Sequence, residues 1–149
     1  MITPTLQQLF PILQLAVGPV ILISGIGLLL LSMTNRFGRT VDRARVLAAD
    51  LRATSTDDDR LRCQRQIDIL AHRAALLRRA ITLASISILF AALLIGTIFV
   101  AALLRMEVAW ALALLFVACM GCLIASLVAF IQDVTQSLIA LRLELGLKT

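Results

Sequence analysis

The chain has 149 residues, of which 60% are hydrophobic, whereas soluble globular domains usually have about 45–50% apolar residues. Its net charge of +5 comes almost entirely from arginine, and in so apolar a chain this favours contact with a membrane surface over contact with nucleic acid. The three cysteines are divided between a charged and an apolar segment, which argues against a secreted disulfide framework.

Three apolar segments are long enough to cross a bilayer, at about residues 12–33, 81–104 and 108–131. As helices they rise about 1.5 Å per residue, so each covers the roughly 30 Å hydrocarbon layer. Pro19 predicts a kink in the first span, and Pro11 is expected to interrupt a short helix that begins near Thr3. We therefore predict an all-α, single-domain membrane protein with three transmembrane helices, the last two joined as a hairpin by residues 105–107.

The segment between the first two spans, about residues 34–80, is predicted to be an antiparallel helical hairpin. Apolar residues recur at spacings of three and four in both halves, as in the seam of a coiled coil. The seam residues are Phe37, Val41, Ala44, Ala48 and Leu51 in the first arm and Cys63, Ile67, Leu70, Ala74, Leu77 and Ile81 in the second. Between the arms, Ser55 or Thr56 is expected to cap a helix whose first turn is acidic, with Asp57, Asp58 and Asp59.

Arginine counting predicts the orientation, because eleven arginines lie within residues 34–80. Positive residues are retained on the cytoplasmic side, so the N-terminus is expected outside and the C-terminus inside. A C-terminal helix over about residues 132–147 is expected to continue the third span, with Gly146 as its stop. Asp133 is expected near the membrane exit, and no ionisable residue is expected within a span, which argues against an ion-coupled carrier.

The candidate binding site is a basic stretch just after the first span, formed by Arg36, Arg39, Arg43 and Arg45. Guanidinium groups at this level can bind the phosphates of anionic lipids or an acidic cytoplasmic protein partner. The alternative is a solvated anchor in which Asp42 pairs with a neighbouring arginine, each pair contributing at most about 1 kcal/mol.

Small residues in the spans predict close helix packing, and Asn35 at the membrane exit is expected to need partners from another helix. The predicted packing residues are Gly25, Gly27, Asn35, Gly96, Gly121 and Ala125. Because three helices enclose little interior, we expect these faces to pack between copies in a homo-oligomer. Cys119 and Cys122 have the spacing of a metal or redox motif without a second ligand pair, so packing is the favoured interpretation. His72 is expected on the surface.

The most distinctive residues lie within about residues 18–45. They are Gly18-Pro19-Val20, the run from Ile23 to Leu30, Thr34-Asn35-Arg36, Arg39 and Val41-Asp42-Arg43-Ala44-Arg45. This pattern and the three-span layout resemble the bacterial membrane proteins grouped as domain of unknown function 2721. The resemblance implies a bacterial membrane protein and transfers no activity or catalytic residue.

The sequence predicts a non-enzymatic protein, because no nucleophile–base arrangement, phosphate-binding loop or dinucleotide-binding turn is found. No catalytic residue, cofactor or metal is expected. We predict an oligomeric scaffold or adaptor in the bacterial inner membrane, whose arginine-rich hairpin binds anionic lipid or a protein partner. The alternative is a homo-oligomeric channel lined by backbone, serine or apolar groups. A membrane enzyme is the least favoured function.

Overall fold

The chain folds into three long α-helices. A computed structural model describes residues 6–53, 57–104 and 108–144, which form α1 (Leu6–Ala53), α2 (Asp57–Leu104) and α3 (Ala109–Glu144). The predicted all-α class is confirmed, and each helix is long and apolar enough to cross a membrane. The predictions for Thr3, Ser55, Thr56, the 105–107 turn and Gly146 lie outside the described residues.

Helix α1 continues without a break from its apolar part into its basic part. The expectation that Pro11 interrupts a short N-terminal helix is wrong, since both Pro11 and Pro19 lie inside α1. Pro11 is in the second turn, where the missing N–H costs a single hydrogen bond, to the carbonyl of Gln7. Proline is also tolerated in membrane-crossing helices, because the carbonyl that it leaves without its usual partner can find another hydrogen-bond donor.

Helix α2 begins at Asp57, so its first turn is acidic, as the sequence predicts. Asp58 and Asp59 in this turn oppose the positive end of the helix dipole. At about 1.5 Å per residue, the 48 residues of α2 extend about 72 Å, more than twice the thickness of a hydrocarbon layer. A single helix therefore accounts for both the charged arm and the apolar segment.

The buried positions of α2 recur with a period of seven residues. One set is Leu70, Leu77, Ala84, Ala91 and Ile98, and a second set, three residues after members of the first, is Ala80, Ser87 and Leu94. This alternation of three and four is a heptad repeat. None of the predicted seam residues in either arm is exposed, so burial agrees with the sequence periodicity.

The chain divides into two compact units, and the first comprises the described parts of residues 1–30 and 83–124. In this unit α2 and α3 meet through a reciprocal polar contact. The hydroxyl of Ser87 donates to the carbonyl of Cys119 at 2.9 Å, and the Cys119 thiol donates to the carbonyl of Ser87 at 3.3 Å. Both residues are buried, and their small side chains allow the two backbones to approach closely.

The second unit comprises the described parts of residues 31–82 and 125–149. Its core includes Met33, Leu77 and Ala80, each at most 1% exposed. The hydroxyl of Ser126 in α3 donates to the carbonyl of Ala80 in α2 at 2.7 Å. This unit contains the charged arms of α1 and α2 together with the end of α3, and it holds the candidate site.

Candidate functional site: a buried carboxylate between two arginines

The site centres on Asp133 of α3, whose side chain is fully buried. Arg73 of α2 donates from Nε to Asp133 Oδ1 at 3.3 Å. Arg36 of α1 places Nη2 3.6 Å from Asp133 Oδ2. One carboxylate thus joins all three helices. A carboxylate removed from water is tolerated in a protein interior only when it is paired, so these two arginines are a condition for the packing of α3 at this level.

Arg36 is held by a second group of α3. Its guanidinium carbon lies 5.4 Å from the ring centroid of Phe130, within the range of a cation–π contact. Phe130 precedes Asp133 by three residues, so both side chains lie on the same face of α3. One turn further along α1, the Thr40 hydroxyl donates to the Arg36 carbonyl at 3.0 Å. Arg36 therefore contributes to interhelical packing as well as to charge.

Two guanidinium groups contact the Asp133 carboxylate. The side chains of Arg36 and Arg73 are 30% and 21% exposed, so they are partly accessible from outside. No group of three or more potential metal ligands occurs in the part of the chain that the structure describes. The arrangement can fix the helices and attract anions.

Arg36 and Arg73 lie at matching heights on the two arms. Arg36 is about as far from the end of α1 as Arg73 is from the start of α2, and both contact the same carboxylate. The arms of α1 and α2 therefore each contribute one arginine at the same level of the second unit.

The structure separates Arg36 from the other three arginines of the predicted binding stretch. Arg39, Arg43 and Arg45 are exposed, whereas Arg36 is only partly exposed and points to α3. Arg45 lies 4.0 Å from Asp42, with both side chains more than 70% exposed. Such a surface pair contributes little stability. The exposed arginines of this stretch are therefore Arg39 and Arg43, one turn apart, and Arg45 on another face of α1.

All six predicted packing residues are exposed in the structure. Asn35 and Ala125 are exposed. A Cβ atom built at any of the four glycines would meet nothing within 4 Å, leaving aside the helix's own backbone. These glycines are Gly25, Gly27, Gly96 and Gly121. In the described part of the chain, Ser87, Cys119 and Ser126 make hydrogen bonds between α2 and α3.

The cysteines are buried or partly buried, and the histidine is exposed. Cys119 is buried and hydrogen-bonded to Ser87, in agreement with the packing interpretation. Cys63 and Cys122 are partly exposed free thiols. His72 is exposed on α2.

Arg73, Phe130 and Asp133 were not among the residues that the sequence predicted for the site. A signal was present in α3, because Ser126, Phe130 and Asp133 follow one another at spacings of four and three. That spacing continues an inward face beyond the last apolar residue of the predicted span. Asp133 follows Ile131 so closely that an outward, solvated side chain was the simpler expectation.

The residues of this site lie within a part of the chain that matches a known protein family. The family described as "Protein of unknown function (DUF2721)" matches residues 16–143. The chain belongs to this family. The match covers most of the chain, includes Arg36, Arg73 and Asp133, and confirms the resemblance found from the residues. No curated protein and no solved structure matches the chain.

Proposed function

We propose that this DUF2721 protein is a non-enzymatic, multi-pass membrane protein that acts as a scaffold by binding anionic lipid headgroups. The observation that carries the proposal is the pair of exposed arginines, Arg39 and Arg43, one turn apart on α1. They follow directly on the apolar part of the same helix. A second occupant of this face, an acidic cytoplasmic protein, would use the same guanidinium chemistry.

The position of the two arginines along α1 suits a headgroup. Counted from Met33, Arg39 is about 9 Å and Arg43 about 15 Å further along the helix. The polar layer beyond the hydrocarbon is roughly 5–8 Å thick on each side of a bilayer, and a long arginine side chain can reach back toward it. Arg36, the nearest arginine to the apolar segment, is engaged by Asp133 and Phe130.

We further propose that the charged arms face the cytoplasm of a bacterial cell, with the protein in the inner membrane. Arginine is concentrated in the arms of α1 and α2, and positively charged segments are retained inside. The anionic lipids of that leaflet attract such segments by about 1 kcal/mol per arginine near the surface.

Replacing both Arg39 and Arg43 with glutamine should weaken binding of phosphatidylglycerol. The loss of two surface contacts, about 2 kcal/mol, corresponds to a roughly 30-fold higher half-saturating lipid concentration. The purified chain in detergent would be titrated with phosphatidylglycerol, and binding would be followed by the rise in thermal unfolding temperature. Phosphatidylcholine should give no comparable rise.

The matched control is R60Q/R65Q, which removes the same charge from exposed positions at the start of α2, far from the apolar segment. We expect this control to bind phosphatidylglycerol nearly as tightly as the unaltered chain. Equal weakening by both double variants would show a response to net charge and would remove the lipid site. Arg36 is left intact because its substitution would also disturb Asp133.

We propose in addition that the chain forms a homo-oligomer. Support comes from the exposed glycines of the apolar segments, since Gly25 and Gly27 lie on α1 with open space where a Cβ would be. Exposed small residues let helices of separate copies approach closely in a bilayer. The alternative function, a channel, would need the same assembly, and conductance of the purified protein across planar bilayers distinguishes it from a scaffold.

Replacing Gly25 with leucine should separate the copies without unfolding the protomer, because a Cβ atom at this position meets nothing within 4 Å beyond the α1 backbone. We expect the dissociation constant to rise roughly tenfold, for a loss of about 1.4 kcal/mol. Single-molecule photobleaching in native membranes would count the copies. The control is A113L, at an exposed alanine of α3. A monomeric unaltered chain, or equal dissociation by both variants, would contradict the proposal.

A further inference from the structure

The first unit contains an open-sided cavity of about 300 Å³. Residues from all three helices line it, among them Gly18, Pro19 and Leu22 of α1, Ala91 and Leu94 of α2, and Phe116 of α3. Two of the lining positions, Gly18 and Ala91, are small. Gly18 has no side chain and nothing within 4 Å of the place of a Cβ outside the α1 backbone, and Ala91 presents only a methyl group.

The cavity is half-open, and its exposed and buried walls show where it opens. Ala91 and Leu94 are buried, so α2 forms the floor. Gly18 is exposed and Phe116 is 51% exposed, so the rims belong to α1 and α3. The opening therefore lies on the α1 and α3 side of the unit, among outward apolar side chains.

The lining excludes water and charged groups as occupants. The lining residues are apolar except for Cys119, whose thiol donates to the carbonyl of Ser87. A buried water needs two to four polar partners, and this lining does not supply them. The volume is about twice that of an engineered apolar cavity of about 150 Å³ that stays dry and binds benzene. An occupant of this cavity is thus uncharged, apolar and larger than a single small ring.

We propose that the cavity binds one acyl chain of a membrane lipid. This inference rests on the proposed membrane insertion, which would place the opening against the hydrocarbon chains of the bilayer. An acyl chain matches the wall chemistry along its whole length, and its headgroup would stay outside. Met120 also lines the cavity, and its flexible thioether can adapt to a chain that bends. An empty cavity would leave its lining without packing partners on one side.

Brominated lipids test the proposal, because bromine on an acyl chain quenches a nearby indole. Trp110 is the single tryptophan, so W110F gives a silent background. Into it we would place F116W at the cavity rim, or V117W at a position that is 68% exposed and does not line the cavity. Each protein would be reconstituted in phosphatidylcholine vesicles containing dibrominated phosphatidylcholine. Adding G18L to F116W should fill the cavity and reduce quenching roughly twofold.

The control for cavity filling is A102L, an exposed position on α2 that does not line the cavity. It should leave quenching of the F116W indole unchanged, and G18L should leave quenching of the V117W indole unchanged. Unchanged F116W quenching in the G18L variant would overturn the acyl-chain site while V117W quenching still showed insertion. No quenching at either position would overturn membrane insertion itself. Circular dichroism would confirm folding, and the smaller G18V would replace G18L if that variant unfolded.

Discussion

Replacing Asp133 with asparagine is expected to lower the free energy of unfolding by about 3–5 kcal/mol. Asparagine keeps the shape of the side chain and removes the charge that offsets Arg36 and Arg73. The two guanidinium groups would then lose the carboxylate that each of them contacts. Reversible unfolding of the full chain in mixed micelles, followed by circular dichroism, would measure the change.

Two variants separate this explanation from a general loss of negative charge. Asp68 is exposed on α2, and D68N should change the free energy of unfolding by no more than about 0.5 kcal/mol. The triple variant R36M/R73M/D133L removes all three charges, and apolar replacement of a buried ion cluster is often neutral or stabilising. It should therefore be more stable than D133N. A triple variant that is no more stable would show that the ion pairs are not the cause.

Replacing Leu77 with alanine is expected to cost about 2–5 kcal/mol of unfolding free energy. Leu77 lies on the α2 arm, is 0% exposed, and occupies a predicted seam position. Truncation would leave a void in the second unit, and the surrounding helices are too regular to close it fully. Unfolding in mixed micelles would again provide the measurement.

Leu61 provides the control, because it carries the same side chain on the same arm and is 54% exposed. We expect L61A to change stability by no more than about 0.5 kcal/mol. The contrast depends on the arms being packed together. If L77A were as harmless as L61A, the seam would not be a packed interface, and the hairpin arrangement of the second unit would be wrong.

The positions of the helices could be predicted from the sequence because the spacing of apolar residues and the residues at the helix ends indicate the same segments. The seam around Leu70 and Leu77 predicted the inward face of the α2 arm, and the acidic run at Asp57 predicted its start. Pro11 was misjudged because the rule against proline in helices weakens near a helix start, where few hydrogen bonds depend on one residue. The residue pattern thus predicted where the helices lie, but it did not predict that a helix would tolerate a proline near its start.

The site was only partly predictable, because its composition depends on which side chains meet across helices. Arg36 was singled out for lipid phosphates, yet its partner is Asp133, nearly one hundred residues later. No local pattern links those two positions, and an aspartate next to an apolar run suggests solvent as readily as an ion pair. Similarly, Gly25 has the small size that packing needs, but the structure leaves it exposed. The small size of a residue does not by itself identify the helix that packs against it.

The contacts between α2 and α3 in the second unit fix the register of one helix against the other. Ser126 contacts Ala80 and Asp133 contacts Arg73, so a step of seven residues along one helix matches an equal step back along the other. Repeating apolar surfaces tolerate sliding by one such step, because similar side chains would meet again. After that slip Asp133 would face Ala80 or Gln66 and lose its salt bridge. The salt bridge of Asp133 thus favours the native register of α2 and α3 over registers shifted by seven residues.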